Sequence, residues 1–271
     1  MPANAAATWF AGKPAPTGGC RRVGDRRVGD RRVGDRRIGA AGCVAVGSAA
    51  NLGYTVCMTT RRYTPLDHLV MNLDQAVRTL AGRPLVTGRP NPADGWEEAE
   101  LTPAEKTESA RLMRVNHAGE VSAQALYQGQ ALTARLERVR ERMEQAAHEE
   151  NDHLAWCEQR LDELGSHTSL LNPAWYLGSF LIGAGAGAIG DKWSLGFVAE
   201  TERQVIAHLE DHLKRLPEQD KKSRAILEQM KIDEAHHGAM AKAAGGAELP
   251  GPVKGVMKLM SKVMTGTAYW L

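Results

Sequence analysis

The chain has 271 residues, of which 43% are hydrophobic, 24% charged and only 5% aromatic, a composition that excludes a disordered or fibrous protein and leans toward helix. Of the cysteines Cys20, Cys43, Cys57 and Cys157 only the last lies beyond residue 57, which excludes a disulfide scaffold and a cysteine-built zinc ribbon and fits a reducing compartment. The net charge of +2 divides into +6 over residues 1–57 and −4 over residues 58–271, so the larger, mildly acidic part is not built for nucleic acid.

Residues 20–39, CRRVGDRRVGDRRVGDRRIG, repeat an Arg-Arg-Val-Gly-Asp unit. Glycine at every fifth position suits neither a helix face nor a strand, and the Ala/Gly/Ser/Pro flanks supply no core. Residues 1–57 therefore read as a disordered extension, or as sequence ahead of a true start at Met58, in preference to a basic arm for nucleic acid or anionic lipid. The folded domain is expected over residues 58–271.

From there the pattern is helical. Leu66, Leu69, Val70, Leu73, Val77 and Leu80 form one apolar stripe that stops at Gly82 and Pro84. Residues 83–98 read as a Pro/Gly-rich linker. Thr102-Pro103-Ala104-Glu105 is a capping box with proline at the first helical position, and a long helix is expected from it to about Leu132. Further helices are expected from about Glu137 to Leu164, from near Asp191 to before Pro217, and from about Asp220 to Ala244, with Gly165 and Gly245-Gly246 as stops. No segment reads as a strand. Four successive long helices make an all-α bundle the expected fold.

Acidic residues interrupt the apolar faces of these helices in a fixed order: Glu120; Glu150 with His153; Glu202; Glu234 with His237. Glu120 and Glu150 are 30 residues apart, Glu202 and Glu234 32, so two similar helix pairs follow one another. Residues three apart on a helix are spatial neighbours, so the Glu and His of a Glu-x-x-His pair can reach one ion. Two such pairs and a Glu from each remaining helix supply four carboxylates and two imidazoles, the ligand set of a two-iron or two-manganese centre in a ferritin-like bundle. Oxygen and nitrogen donors without thiolates speak against an iron–sulfur cluster, and four buried carboxylates without cations would repel one another. A lone Glu-x-x-His is usually a solvated pair; the ordered conjunction of four elements is not. Asp233 with His236 offers an alternative register in the last helix; Glu149 and His148 flank the second motif and Glu200 flanks Glu202. His117 and His212 read as exposed or structural.

At these residues the sequence resembles the di-iron 3-demethoxyubiquinol hydroxylases of ubiquinone biosynthesis, a ferritin-like family. The resemblance covers about residues 63 to 271 and is most specific at RVNHAGE (114–120), EENDH (149–153), SLGFVAETERQVIAHL (194–209) and DEAHHGAMA (233–241). It implies two iron ions held by Glu120, Glu150, His153, Glu202, Glu234 and His237, with Glu150 and Glu234 bridging. It implies a catalytic part for His208, six residues after Glu202, as proton donor or as an outer partner of the ligands. Eukaryotic members follow that histidine with tyrosine where this chain has Leu209. The implied reaction is O2-dependent ring hydroxylation of 2-polyprenyl-3-methyl-6-methoxy-1,4-benzoquinol, with a nicotinamide or a redox partner as reductant. Ferritin-like iron storage and peroxide scavenging use similar ligands, although the paired Cys-x-x-Cys motifs common in peroxide-reducing relatives are missing.

A polyprenyl substrate implies a membrane. Residues 174–189 are largely apolar, shorter than the roughly 20 a spanning helix needs. They read as an interfacial segment or lip carrying Trp175, Tyr176 and Phe180, with Trp193 beyond, or else as a buried crossover helix; the Gly-Ala run within them reads as close packing or a flexible insert. Residues of about 250–264 form an amphipathic helix with Lys254, Lys258 and Lys262 on one face. The expectation is a peripheral protein on the cytoplasmic face of a bacterial inner membrane, with other ubiquinone-biosynthesis proteins or a second copy as possible partners and no nucleic acid.

Overall fold

The computed structural model describes residues 64–271, and the reading of residues 1–57 lies outside them. Among the described residues seven helices follow one another: α1 (Pro65–Ala81), α2 (Pro103–Thr133), α3 (Glu137–Glu163), α4 (Asn172–Ile189), α5 (Asp191–Arg215), α6 (Lys221–Ala243) and α7 (Gly251–Ala268). The described residues contain no strand, as the composition and periodicity predict. The boundaries follow local chemistry. Thr102 caps α2 by accepting from the Glu105 amide while the Glu105 carboxylate accepts from the Thr102 amide. Asp220 caps α6 through the Ser223 amide, and Gly165 and Gly245 turn out of their helices at positive φ.

Helices α2, α3, α5 and α6 form the bundle: α2 packs on α3, α5 on α6, and the pairs meet through α3 with α6 and α2 with α5. Two apolar clusters fill it. One gathers Leu112, Met113, Trp156, Leu161, Leu209, Ile226 and Met230; the other gathers Tyr127, Val139, Met143, Leu195, Val198 and Ala241. On each bundle helix the two clusters occupy either side of one acidic position: Glu120, Glu150, Glu202 or Glu234. A polar layer is thereby sealed at both ends by close-packed side chains, and exclusion of water there strengthens every charge interaction within it.

Residues 173–189 lie within the regular helix α4 rather than a flexible insert, and one face of it is packed against α2. Its small residues explain how. A Cβ on Gly183 would overlap the Leu126 carbonyl, and one on Gly129 would overlap Phe180 O. Tyr176 is buried and donates its hydroxyl to Gln128. The opposite face leaves Leu177, Leu181 and Ile189 exposed. Gly183→Ala is expected to destabilise the protein by about 1–3 kcal/mol through overpacking, which outweighs the up to about 1 kcal/mol that alanine gains over glycine in a helix. Gly185→Ala, where an added Cβ meets nothing within 4 Å, is expected to be neutral or slightly stabilising. Thermal denaturation of the two variants checks the pair.

The α1 stripe behaves differently from a core face. Ala76 and Leu80 pack against Val121, Ala125, Leu154 and Tyr176, but Val70, Leu73 and Val77 point outward. The following linker is tied down: the Thr87 amide and hydroxyl donate to Asp152 and Arg89 Nε pairs with the same carboxylate at 2.7 Å.

Candidate metal centre

Glu120, Glu150, Glu202, Glu234, His153 and His237 are all buried. Atoms of Glu120, Glu150, His153 and Glu234 lie within 4.8 Å of one another, as do those of Glu202, Glu234 and His237. All six residues singled out by spacing thus meet in one layer, with Glu234 common to both groups. Both imidazoles turn Nδ1 inward. Glu150 reaches the two rings with its two oxygens, Oε2 at 3.0 Å from His153 Nδ1 and Oε1 at 3.4 Å from His237 Nδ1. Glu234 does the same, at 3.2 Å from each. Glu120 lies 3.4 Å from His153 Nδ1. Glu202 accepts from the hydroxyl of Tyr127, which stands seven residues after Glu120 and so on the same face of α2.

The charges of this layer are mutually frustrated. Burial, then the neighbouring Glu150, pushes Glu120 well above the ordinary carboxylate range, and burial, Glu234 and Glu150 do the same to Glu202. Burial acts on Glu150 and Glu234 in the same direction, but hydrogen bonds with His153 and His237 outweigh it and hold both below the ordinary range. Burial would lower the two histidines, yet their carboxylate partners raise both. The layer without a cation therefore favours protons on Glu120, Glu202 and the two imidazoles. Four carboxylates and two imidazole nitrogens converging in a dry layer fit hard-to-borderline divalent cations, whose binding displaces those protons.

In α6 one of the two candidate pairs faces this layer. Glu234 and His237 do; Asp233 lies outside it, against the outer nitrogen of His153, and His236 is exposed. Glu200, beside Glu202, turns away to Arg203 and Gln204. Glu149 holds the outer nitrogen of His237, and His148 is exposed.

His208 is not among the clustered side chains. Its ring lies 3.9 Å from that of His212, and both line a cavity of about 330 Å³ with Val115, Arg215, Tyr269 and Trp270. His208 Nε2 has no hydrogen-bond partner, and burial lowers the ring to about 4. His117 and His212 are both buried, which corrects the exposed alternative; His212 Nδ1 pairs with Asn116 Oδ1 at 2.9 Å. Burial lowers His117 to about 4. An unfolded chain takes up that proton from about pH 6.5 downward while the folded one does not, so this histidine withdraws stability as pH falls from 6.5 toward 4. Acidification from pH 6.5 to 5 is expected to cost the metal-free protein about 2 kcal/mol more than it costs His117→Gln, at about 1.4 kcal/mol per pH unit. Urea titrations of both at the two pH values measure the difference.

Comparison with known proteins agrees with this architecture. The family described as "Ubiquinone biosynthesis protein COQ7" matches residues 107–268. The chain is 61% identical over 214 residues to the 3-demethoxyubiquinol 3-hydroxylase of Nitrosococcus oceani, covering 79% of this chain and 100% of that protein. It is 61% identical over 212 residues to the protein of the same name from Stutzerimonas stutzeri, covering 77% and 97%, and 59% identical over 211 residues to that of Acinetobacter baumannii, covering 78% and 100%.

Proposed function

The chain belongs to the family of ubiquinone biosynthesis protein COQ7, and from that membership we propose that it is a di-iron monooxygenase that hydroxylates the ring of 3-demethoxyubiquinol with O2. The observation that carries the metal reading is that Glu150 and Glu234 each approach both inward-facing histidine nitrogens, so that either carboxylate could be shared between two ions. Glu120, Glu150, His153 and Glu234 would hold one ion, and Glu202, Glu234 and His237, with Glu150, the other. Two iron ions there supply the activation of O2 and the oxidising power for the hydroxylation.

The protein's own contribution is positioning and exclusion of water. The apolar clusters on either side of the layer keep it dry. The Tyr127 hydroxyl fixes the Glu202 carboxylate. His208 does not touch the carboxylates, so any part it has would be indirect, through α5, the helix that also presents Glu202. A cavity of about 670 Å³ between α1, α2 and α3, lined by Met71, Gln75, Gln128, Ala131, Leu132 and His148, has the size of a small-molecule site and is the candidate for the quinol; the amide nitrogen of Gln128 has no partner.

Peripheral attachment to the cytoplasmic face of the inner membrane is part of the same proposal. No helix among the described residues is long and apolar enough to cross a membrane. Support comes from exposed apolar side chains on α4 (Leu177, Leu181) and α7 (Val256, Leu259, Met260, Val263), the latter beside Lys258 and Lys262, which suit an anionic surface.

The test is metal content together with turnover. The full chain, expressed with iron, is expected to hold two iron ions and to convert a short-chain demethoxyquinol to its hydroxylated product under O2 with a supplied reductant. Two irons without product would overturn the substrate; iron taken up well beyond two per chain would make the protein a store.

A further inference from the structure

Each clustered histidine has a second contact that the proposed reaction leaves unused. Because Nδ1 faces the glutamates, Nε2 faces out. His153 Nε2 lies 2.9 Å from Asp233 Oδ2, and His237 Nε2 lies 2.8 Å from Glu149 Oε2. Asp233 and Glu149 immediately precede Glu234 and Glu150 in sequence. Each helix of the α3–α6 pair thus grips, with its outer carboxylate, the histidine of the other. An outer carboxylate of this kind sets the tautomer and orientation of a ligand imidazole.

The two grips are unequal. Asp233 Oδ2 also receives Arg89 Nη1 at 2.8 Å, and Asp233 Oδ1 receives Gln229 at 2.9 Å. Arg89 in turn pairs through Nε with Asp152, itself buried and held by the amide and hydroxyl of Thr87. The Arg89 guanidinium lies 4.9 Å over the Trp156 ring, which packs 5.4 Å from His153. The outer side of His153 is closed by a chain of groups running from the α1–α2 linker to α6. Glu149 has much less behind it. Its other oxygen receives only Gln145, one turn earlier on the same helix, at 3.0 Å, and its side chain is 30% exposed. A cavity of about 50 Å³ lies alongside, lined by Tyr127, Glu149, His236 and His237.

We propose that the Arg89–Asp152–Asp233 chain locks one half of the centre while Glu149 leaves the other half exchangeable, so that the ion held by Glu202, Glu234 and His237 enters and leaves first and the ion held by Glu120, Glu150 and His153 is retained. To release a metal, a ligand imidazole must turn away from it. His153 is held against turning by a carboxylate that is itself fixed by two further donors, Arg89 and Gln229, whereas His237 leans on a carboxylate free to move into solvent. The proposal rests on the two-metal reading above and assigns Arg89, Asp233 and Glu149 as positioning residues.

The test is the kinetics of metal release, read independently of turnover. The full chain is loaded anaerobically with iron(II) and mixed with excess colorimetric chelator. The unmodified protein is expected to release its two ions in two phases of equal amplitude. Arg89→Met is expected to speed the slow phase by about tenfold, the lower end of what an outer-shell partner contributes, and to leave the fast phase unchanged. Glu149→Ala, at a partly exposed site where folding is not at risk, is expected to change the fast phase alone. One common rate in the unmodified protein overturns the proposal without recourse to any variant. So does a Glu149→Ala effect on the slow phase, or a slow phase indifferent to Arg89→Met and to the milder Asp152→Asn. A folded protein that binds no iron would instead remove the two-metal reading itself, an outcome distinct from all of these.

Discussion

Glu234→Ala is expected to abolish occupancy of the whole centre rather than of one half. Glu234 is the residue common to both groups of clustered side chains, its two oxygens lying 3.2 Å from His153 Nδ1 and 3.2 Å from His237 Nδ1. An outer-shell partner of a metal site costs about 10–100-fold in affinity or activity when removed; a carboxylate that two ions would share lies inside that shell, and its loss should cost more than 100-fold in hydroxylation. Iron per chain should fall from two to less than one. The fold should survive, because the substitution removes one of four mutually repelling carboxylates and the apolar clusters on either side are untouched. Thermal denaturation with and without iron(II) separates the effects. The unmodified protein should gain stability on loading, about 2.7 kcal/mol for each ion at a free ion concentration 100 times the dissociation constant, and the variant should gain little. Glu234→Gln, which keeps volume and loses charge, should resemble alanine in metal content. A Glu234→Ala protein that retained two irons and full turnover would take this residue out of the site.

Arg160→Met is expected to give the largest loss of stability outside the centre. Arg160 is 1% exposed. Its guanidinium makes a two-pronged contact with Glu98 and single contacts with Glu163 and Asp220, at 2.6–3.0 Å, and Nε donates to Ser223 at 2.9 Å. One side chain thereby joins α3, the end of the α1–α2 linker and the first turn of α6. Methionine would fill part of the volume but leave Asp220 buried without its cation. Glu98 is half-exposed, and Lys222 lies 3.3 Å from both Glu98 and Glu163, so those two carboxylates find compensation and Asp220 does not. Breaking a buried pair in this way costs about 3–5 kcal/mol, or roughly 6–20 °C in Tm for a domain of this size. Adding Asp220→Asn should recover part of the loss, and a double-mutant cycle measures the coupling. Full additivity of the two substitutions would show that the pair contributes nothing of its own.

Much of the site is legible in the amino-acid sequence because the relevant information is local and periodic. A Glu-x-x-His pair on a helix already dictates that its two side chains are neighbours, and Glu120 and Glu202 announce themselves by interrupting apolar faces. Tyr127 is legible in position, seven residues after Glu120, but an aromatic on a core face carries no sign that its hydroxyl meets a carboxylate. The choice between Glu234/His237 and Asp233/His236 is not legible. Both pairs have the same spacing, and a rotation of α6 by one residue, about 100°, exchanges them; only packing of the helix against α3 and α5 fixes that angle. Arg89 lies further out of reach, in a linker without periodicity, paired with residues 63 and 144 positions away.

What the sequence by itself determined is therefore the four bundle helices, their ends and four of the side chains that share one layer (Glu120, Glu150, His153 and Glu202), since capping, periodicity and i, i+3 spacing act within a few residues. What only the tertiary structure decided is the rotation of each helix about its axis, the burial of one face of α4 on α2, the placing of His208 away from the carboxylates and the unequal support of His153 and His237. These depend on contacts between residues far apart in the chain, where close packing selects one arrangement from several that local propensity allows equally well.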